Sequence, residues 1–152
     1  MEKERSATVI RFAFAVNHYG NFEARHFGDA DKYLIYEWSN GELVILKEVL
    51  NSFKNHDENP VHGLRQKGLG IINLLKDQNV NVLVSKQFGK NIQMVNQYFV
   101  PVIVSAETRH EAVPVLTKHI KWIEDELNNK PKEFKLFAIR KGVLKTTIKT
   151  NT

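Results

Sequence analysis

Near the start of the chain the apolar positions fall in short, almost continuous runs and not in stripes. TVIRFAFAV (Thr8 to Val16) is dominated by β-branched and aromatic residues, which predicts a mostly buried strand. KYLIYEWS (Lys32 to Ser39) predicts a second strand. It runs into Asn40-Gly41, the dipeptide that most readily supplies positive φ at both centres of a type I′ turn, and then into ELVILKEVLN (Glu42 to Asn51). This is the pattern of a hairpin. The stretch NSFKNHDENPVHG that follows carries Pro and Asx residues and predicts a long loop.

The period then changes. Leu64, Leu69, Ile72 and Leu75 recur at three- to five-residue spacings and align an apolar face on a helix from Leu64 to Gln78. Gly68 and Gly70 weaken that helix and mark a close backbone approach, to a sheet or to a ligand. VNVLVS (Val80 to Ser85) predicts a short buried strand, and Ile92, Met94, Val95, Tyr98 and Phe99 outline a second helix. VPVIVS (Val100 to Ser105) is an all-apolar strand of the kind parallel sheets bury. Thr108 stands three residues before Glu111, a capping-box spacing, and Val113, Leu116, Ile120, Ile123 and Leu127 keep helical period as far as Asn128. Pro114 lacks the amide that a helix interior needs, which predicts a start near Val113 or a distortion there. KEFKLFAIRKGVLKTTIK, with Lys141-Gly142 between two strand-like segments, predicts a terminal hairpin. A hairpin-led start passing into alternating strands and helices predicts an α/β fold, a mixed sheet covered by helices with right-handed crossovers between its parallel strands.

Composition narrows the chemistry. At 152 residues the chain suits one domain able to bury a core unaided. Its 42% apolar and 26% charged residues are ordinary for a globular protein. No apolar run approaches the roughly 18 residues of a membrane span, and MEKERSATVIRFAFAV lacks a signal-peptide pattern, so the expected location is cytoplasmic, without a membrane partner. The absence of cysteine excludes disulfides, thiolate catalysis and Cys-ligated zinc or iron–sulfur sites within the chain. Net charge is +5, but seven of the 22 Lys/Arg and one of the 17 Asp/Glu lie in 130–152, which leaves 15 basic against 16 acidic residues before them. The basic character belongs to the tail, and the body offers no charge argument for nucleic acid. In the tail, Phe134, Leu136 and Ala138 alternate with Lys135, Phe137 and Ile139, so its aromatics read as packing groups and not as base-stacking platforms. A sheet extension or a subunit contact, including a homodimer through this hairpin, is the expectation; nucleic acid is not.

His26-Phe27-Gly28 is the most specific local feature, an imidazole, an aromatic anchor and a permissive backbone in three positions beside Asp29. Imidazole is a good metal ligand when neutral, although a lone histidine in a polar loop is more often exposed or locally hydrogen-bonded. His18 and His62 sit in other loops and join it only if the fold brings those loops together. Asp29 and Asp31 are two residues apart, but neither VNVLVS nor VPVIVS adds a carboxylate for a divalent-metal cluster, and KGLG lacks the G-x-G-x-x-G spacing. The chain is therefore not expected to be an enzyme, and no catalytic residue is assigned.

Val9 to Val16, HFGDADKYLIYE, the Asn-Gly hairpin, HGLRQKGLGIINLLKDQNVNVLVSKQFGKN, QYFVPVIV and the closing helix together resemble the dinitrogenase iron-molybdenum cofactor biosynthesis family. The resemblance spans Val9 to Leu127, and it suggests a family domain over 8–129 with 130–152 as a basic hairpin extension of the same domain. It implies a ribonuclease-H-like motif: a mixed five-stranded sheet with helices on its faces, here followed by the C-terminal β-hairpin. It further implies a non-enzymatic binding or carrier protein for an iron-molybdenum cofactor, an iron–sulfur precursor or another small anionic ligand. The alternative is a protein–protein interaction module with no cofactor. Carried over by position, His26 is the cluster-contacting and metal-ligating candidate, with Phe27 and Gly28 beside it. His62, before the first helix, and Gly89 and Asn91, in the second loop, complete the candidate cofactor-binding set. Without cysteine, any cluster would be held through His26 or by electrostatics.

Overall fold

A computed structural model describes residues 9–54, 62–89 and 92–146, with the side chains of 62–65 excepted. Thr8, most of the long loop, Lys90, Asn91 and the tail from Thr147 lie outside the described residues. Seven strands and four helices follow one another in the expected order: β1 (Ile10–Val16), β2 (Lys32–Ser39), β3 (Glu42–Leu50), α1 (His62–Asp77), β4 (Val82–Ser85), α2 (Ile92–Val95), β5 (Val100–Val104), α3 (Arg109–Lys118), α4 (Ile120–Asn129), β6 (Phe137–Arg140) and β7 (Val143–Thr146). No described helix is long and apolar enough to cross a membrane.

All seven strands form one mixed sheet, ordered β3-β2-β1-β4-β5-β6-β7. The expected five-stranded sheet is thus too small, because the terminal hairpin does not stand apart. Its first strand β6 lies parallel to β5, Val102 beside Phe137 and Val104 beside Ile139, and so inherits the hydrogen-bonding edge that β5 would otherwise leave open. Both hairpin turns take the geometry their sequences demand, with φ of 54° and 83° at Asn40-Gly41 and 53° and 77° at Lys141-Gly142.

Strand alternation divides the core into two clusters. On one face Phe12, Phe14, Tyr36, Val82, Val102 and Ile139 pack against Ala112, Val115 and Leu116 of α3 and Ile123 of α4. On the other, Ala13, Tyr33, Ile35 and Leu83 pack against Ile71, Ile72 and Leu75 of α1 and Val95 of α2. The steps from β4 to β5 and from β5 to β6 run in the same direction along the sheet but over opposite faces. They therefore have opposite hands, and the expectation that every crossover is right-handed fails for one of them.

Helix ends follow local chemistry. Gly70 of α1 packs where a methyl group would collide with the Phe53 ring, the close-packing role and not a ligand contact. The helix closes with Asn79 at φ 59° while Val80 donates to the Leu75 carbonyl at 3.1 Å and Asn79 to Lys76 at 2.9 Å, a Schellman ending. The second predicted helix is a single turn, because Asn96 to Tyr98 turn back toward β5. Thr108 and Glu111 form the expected capping box, and α3 starts at Arg109, not near Val113. Pro114 lies within it on the exposed side, where water can take the carbonyl bond its ring removes. The break falls later, at His119 (φ −110°, ψ 22°), dividing the predicted single helix in two.

Candidate functional site

The loop between β1 and β2 is wound around Asn17. Its Oδ1 accepts the amides of Tyr19 (2.9 Å) and Asn21 (3.0 Å), and its Nδ2 donates to Glu23 Oε2 (2.7 Å). Gly20, at φ 84°, turns its carbonyl to Arg109 Nε (3.0 Å), and Arg109 also donates to the Tyr36 hydroxyl at 2.7 Å. The first turn of α3 thus clamps the loop to the sheet.

The end of the loop carries His26. Its backbone is extended and bridges in parallel to Gln87, which follows β4. This brings the imidazole onto the second candidate loop: Gly89 has φ 67°, and a Cβ there would lie 2.7 Å from His26 Nδ1. Only a residue without a side chain lets the exposed ring occupy that place. Phe27 is buried beneath, with ring centroids 5.5 Å from Phe88 and 4.9 Å from Tyr33. The Tyr33 hydroxyl donates to the Phe27 carbonyl at 2.9 Å, and burial, reinforced by the charge of Asp29, pushes the phenol above its ordinary pKa. Gly28 faces α1, its Cβ position 3.4 Å from Ile71 Cδ1. His26 therefore meets Gly89 and Phe27 meets Phe88, although 63 and 61 positions separate the two pairs in sequence.

Two side chains absent from the sequence-derived set hold this arrangement. Asn51 donates through Nδ2 to the carbonyls of Gly28 and Ala30, both at 2.9 Å, while its amide donates to the Asp31 carbonyl at 3.1 Å. Asp31 is buried, and its carboxylate accepts the His18 amide (3.1 Å), Arg25 Nη1 (3.3 Å) and Lys54 Nζ. The Lys54 bond, with the His18 amide and nearby positive charge, holds Asp31 below the usual aspartate range against the opposing effect of burial. Asp29 pairs with Lys67 at 2.5 Å. The only sequence signal for Asn51 was an Asx residue following a strand, and Arg109 gave none, since its partner Gly20 lies 89 residues away.

His18 turns to Asp31 (Nε2 to Oδ1, 3.8 Å). His62 is the first residue of α1, and Asn91 lies outside the described residues. Next to His26, the side chains of Asn17, Glu23, Arg25 and Ser85 border a cavity of about 10 Å³, room for one water. Among the described residues no group of three His, Cys, Asp or Glu could hold a bare metal ion. Among the described residues the donor set fits one imidazole contact to a cluster that brings its own ligands, and not a protein-built metal cage.

The sequence profile described as dinitrogenase iron-molybdenum cofactor matches residues 8–120. A comparison with curated protein sequences finds no match.

Proposed function

Because the chain belongs to the dinitrogenase iron-molybdenum cofactor family, we propose that it is a non-enzymatic binding or carrier protein for an iron-molybdenum-type or other metal cluster, contacted by His26. The observation that carries this reading is the seat of His26: an exposed imidazole fixed on a glycine, at the carboxyl ends of the parallel strands β1 and β4. Phe27 anchors the loop in the core, so the ring is presented from a rigid base. A cluster bound here would supply the redox and ligand chemistry, and the chain would supply attachment and orientation. The carboxylates nearest the motif, Asp29 and Asp31, are already paired with lysine and arginine, which favours a carrier over a hydrolytic or phosphoryl-transfer enzyme. The continuous β3-β2-β1-β4-β5 portion supports a ribonuclease-H-like reading of the fold, with β6 and β7 as its extension.

Anaerobic addition of iron-molybdenum cofactor, or of a synthetic iron–sulfur cluster, is expected to change the absorption spectrum and raise the thermal midpoint. His26→Ala abolishes both changes while leaving the unliganded midpoint near that of the wild type. If neither cluster alters the wild-type protein, the carrier reading is wrong.

The alternative, an interaction module, draws on β3. This edge strand exposes Val44, Ile45, Leu46 and Leu50, an apolar edge larger than that of β7, where Val143 is the exposed large hydrophobic residue. Sedimentation of the unliganded chain separates the readings: a dimer dispersed by Ile45→Lys supports the interaction module through β3, and one dispersed by Val143→Lys supports the hairpin.

A further inference from the structure

The added hairpin creates a surface that the rest of the sheet lacks. Ile103 pairs with Ala138 across β5 and β6, and Ala138 with Lys145 across β6 and β7, so these three side chains stand on one face. It is the face covered by α1 and α2, since Ile103 packs at the border of their cluster. That cluster contains no residue of β6 or β7, so the helical layer ends at β5 and the sheet continues past it. Beyond the helices lies a hollow of about 330 Å³, bordered by Lys86, Gln87, Ile103, Ser105, Ala138 and Arg140. The volume suits a small molecule. The position is where the chain leaves β4 toward one face and β5 toward the other, the crevice at strand carboxyl ends that open α/β sheets use for ligands.

Charge selects the ligand. Lys86 and Arg140 border the hollow, and among the described residues no carboxylate does. Neither cation has a hydrogen-bond or ion-pair partner among the described residues. Glu107, close by in sequence, is turned to the Ser105 amide at 3.2 Å. Ile103 and Ala138 are partly exposed and give the hollow an apolar floor. An ammonium and a planar guanidinium above such a floor suit phosphate oxygens joined to an uncharged body, because the guanidinium fork matches two of those oxygens at once.

We propose that this hollow binds a small phosphorylated molecule, its phosphates held by Lys86 and Arg140 and its organic body lying on Ile103 and Ala138. Lys86, Gln87, Ile103 and Ser105 lie within the matched residues 8–120 and Ala138 and Arg140 outside them, so the site is completed by residues beyond the matched segment. His26 itself does not border the hollow, which adjoins it through Gln87, the residue its backbone bridges to.

The test titrates ADP, pyrophosphate and adenosine into the full chain, followed by calorimetry and by amide chemical shifts. ADP and pyrophosphate are expected to saturate, with shifts centred on Lys86, Ser105 and Arg140, while adenosine at the same concentration does not bind. Lys86→Gln weakens ADP about tenfold, the loss of one hydrogen bond to a charged group, and Arg140→Gln, which removes a two-oxygen contact, weakens it by more. His26→Ala leaves ADP binding unchanged, so failure of the cluster reading and failure of this one give different results. Absence of saturable binding by both ADP and pyrophosphate overturns the proposal. So does adenosine binding as tightly as ADP, or ADP binding that survives both glutamine substitutions.

Discussion

His26 rests against Gly89, with Nδ1 2.7 Å from the point where any other residue would place its Cβ. Gly89→Ala therefore meets two penalties, the left-handed backbone at φ 67°, worth about 1 to 2 kcal/mol for an L-residue, and the collision with the imidazole. Equilibrium denaturation is expected to show the larger loss in the wild-type background and a smaller one when His26→Ala has removed the ring. Equal losses in both backgrounds would mean that the two residues are not coupled.

Asn51→Ala removes the donors to the Gly28 and Ala30 carbonyls together with the acceptor for the Phe53 amide. Leaving buried carbonyls unpaired costs about 1 to 3 kcal/mol. Hydrogen exchange should accelerate locally over 27–31, and the His26 ring resonances should broaden or move. Unchanged exchange in that segment would show that Phe27 alone fixes the loop.

Asp31 supplies a pH dependence whose sign follows from its depressed pKa in the folded chain. Its contribution is present in full above the unfolded value of about 3.9 and is lost as pH falls through the lower folded value. Asp31→Asn is therefore expected to destabilise the protein more at pH 7 than at pH 2.5. Urea midpoints at the two pH values check this, and a gap that stays constant refutes the assignment.

His119 acts in the pH range above that of Asp31. Its ring lies 4.6 Å from the indole of Trp122, and its buried Nε2 has no partner among the described residues. Burial, with the charge of Lys118 adding to it, lowers its pKa from the ordinary 6.5. The fold then favours the neutral ring, and stability present above pH 6.5 declines as pH falls toward the folded value. His119→Leu should flatten the stability profile between pH 7.5 and 5.5. An unaltered slope would place that pH dependence on other groups.

Much of the architecture was legible because it rests on neighbours in sequence. The turn at Asn40-Gly41 needs two residues tolerant of positive φ, the capping box needs Thr108 and Glu111 three positions apart, and the buried strands need unbroken apolar runs. Pro114 misled because its effect depends on direction. On a buried side its missing amide would have left a carbonyl without a partner, but on the exposed side water replaces the bond, and helix geometry yields first at His119.

Within the candidate site, the sequence alone determined that His26, Phe27 and Gly28 form a compact motif after a strand, since that is a matter of residue types in adjacent positions. Only the tertiary structure decided what surrounds the motif. The parallel register of β1 with β4 carries Gly89 under His26, the end of β3 brings Asn51 to the motif carbonyls, and the joining of β6 to β5 brings Arg140 to the hollow that Lys86 also borders. Each of these depends on which strand edges pair and at what offset, a choice made by burial summed over the whole sheet and carried by no short stretch of sequence.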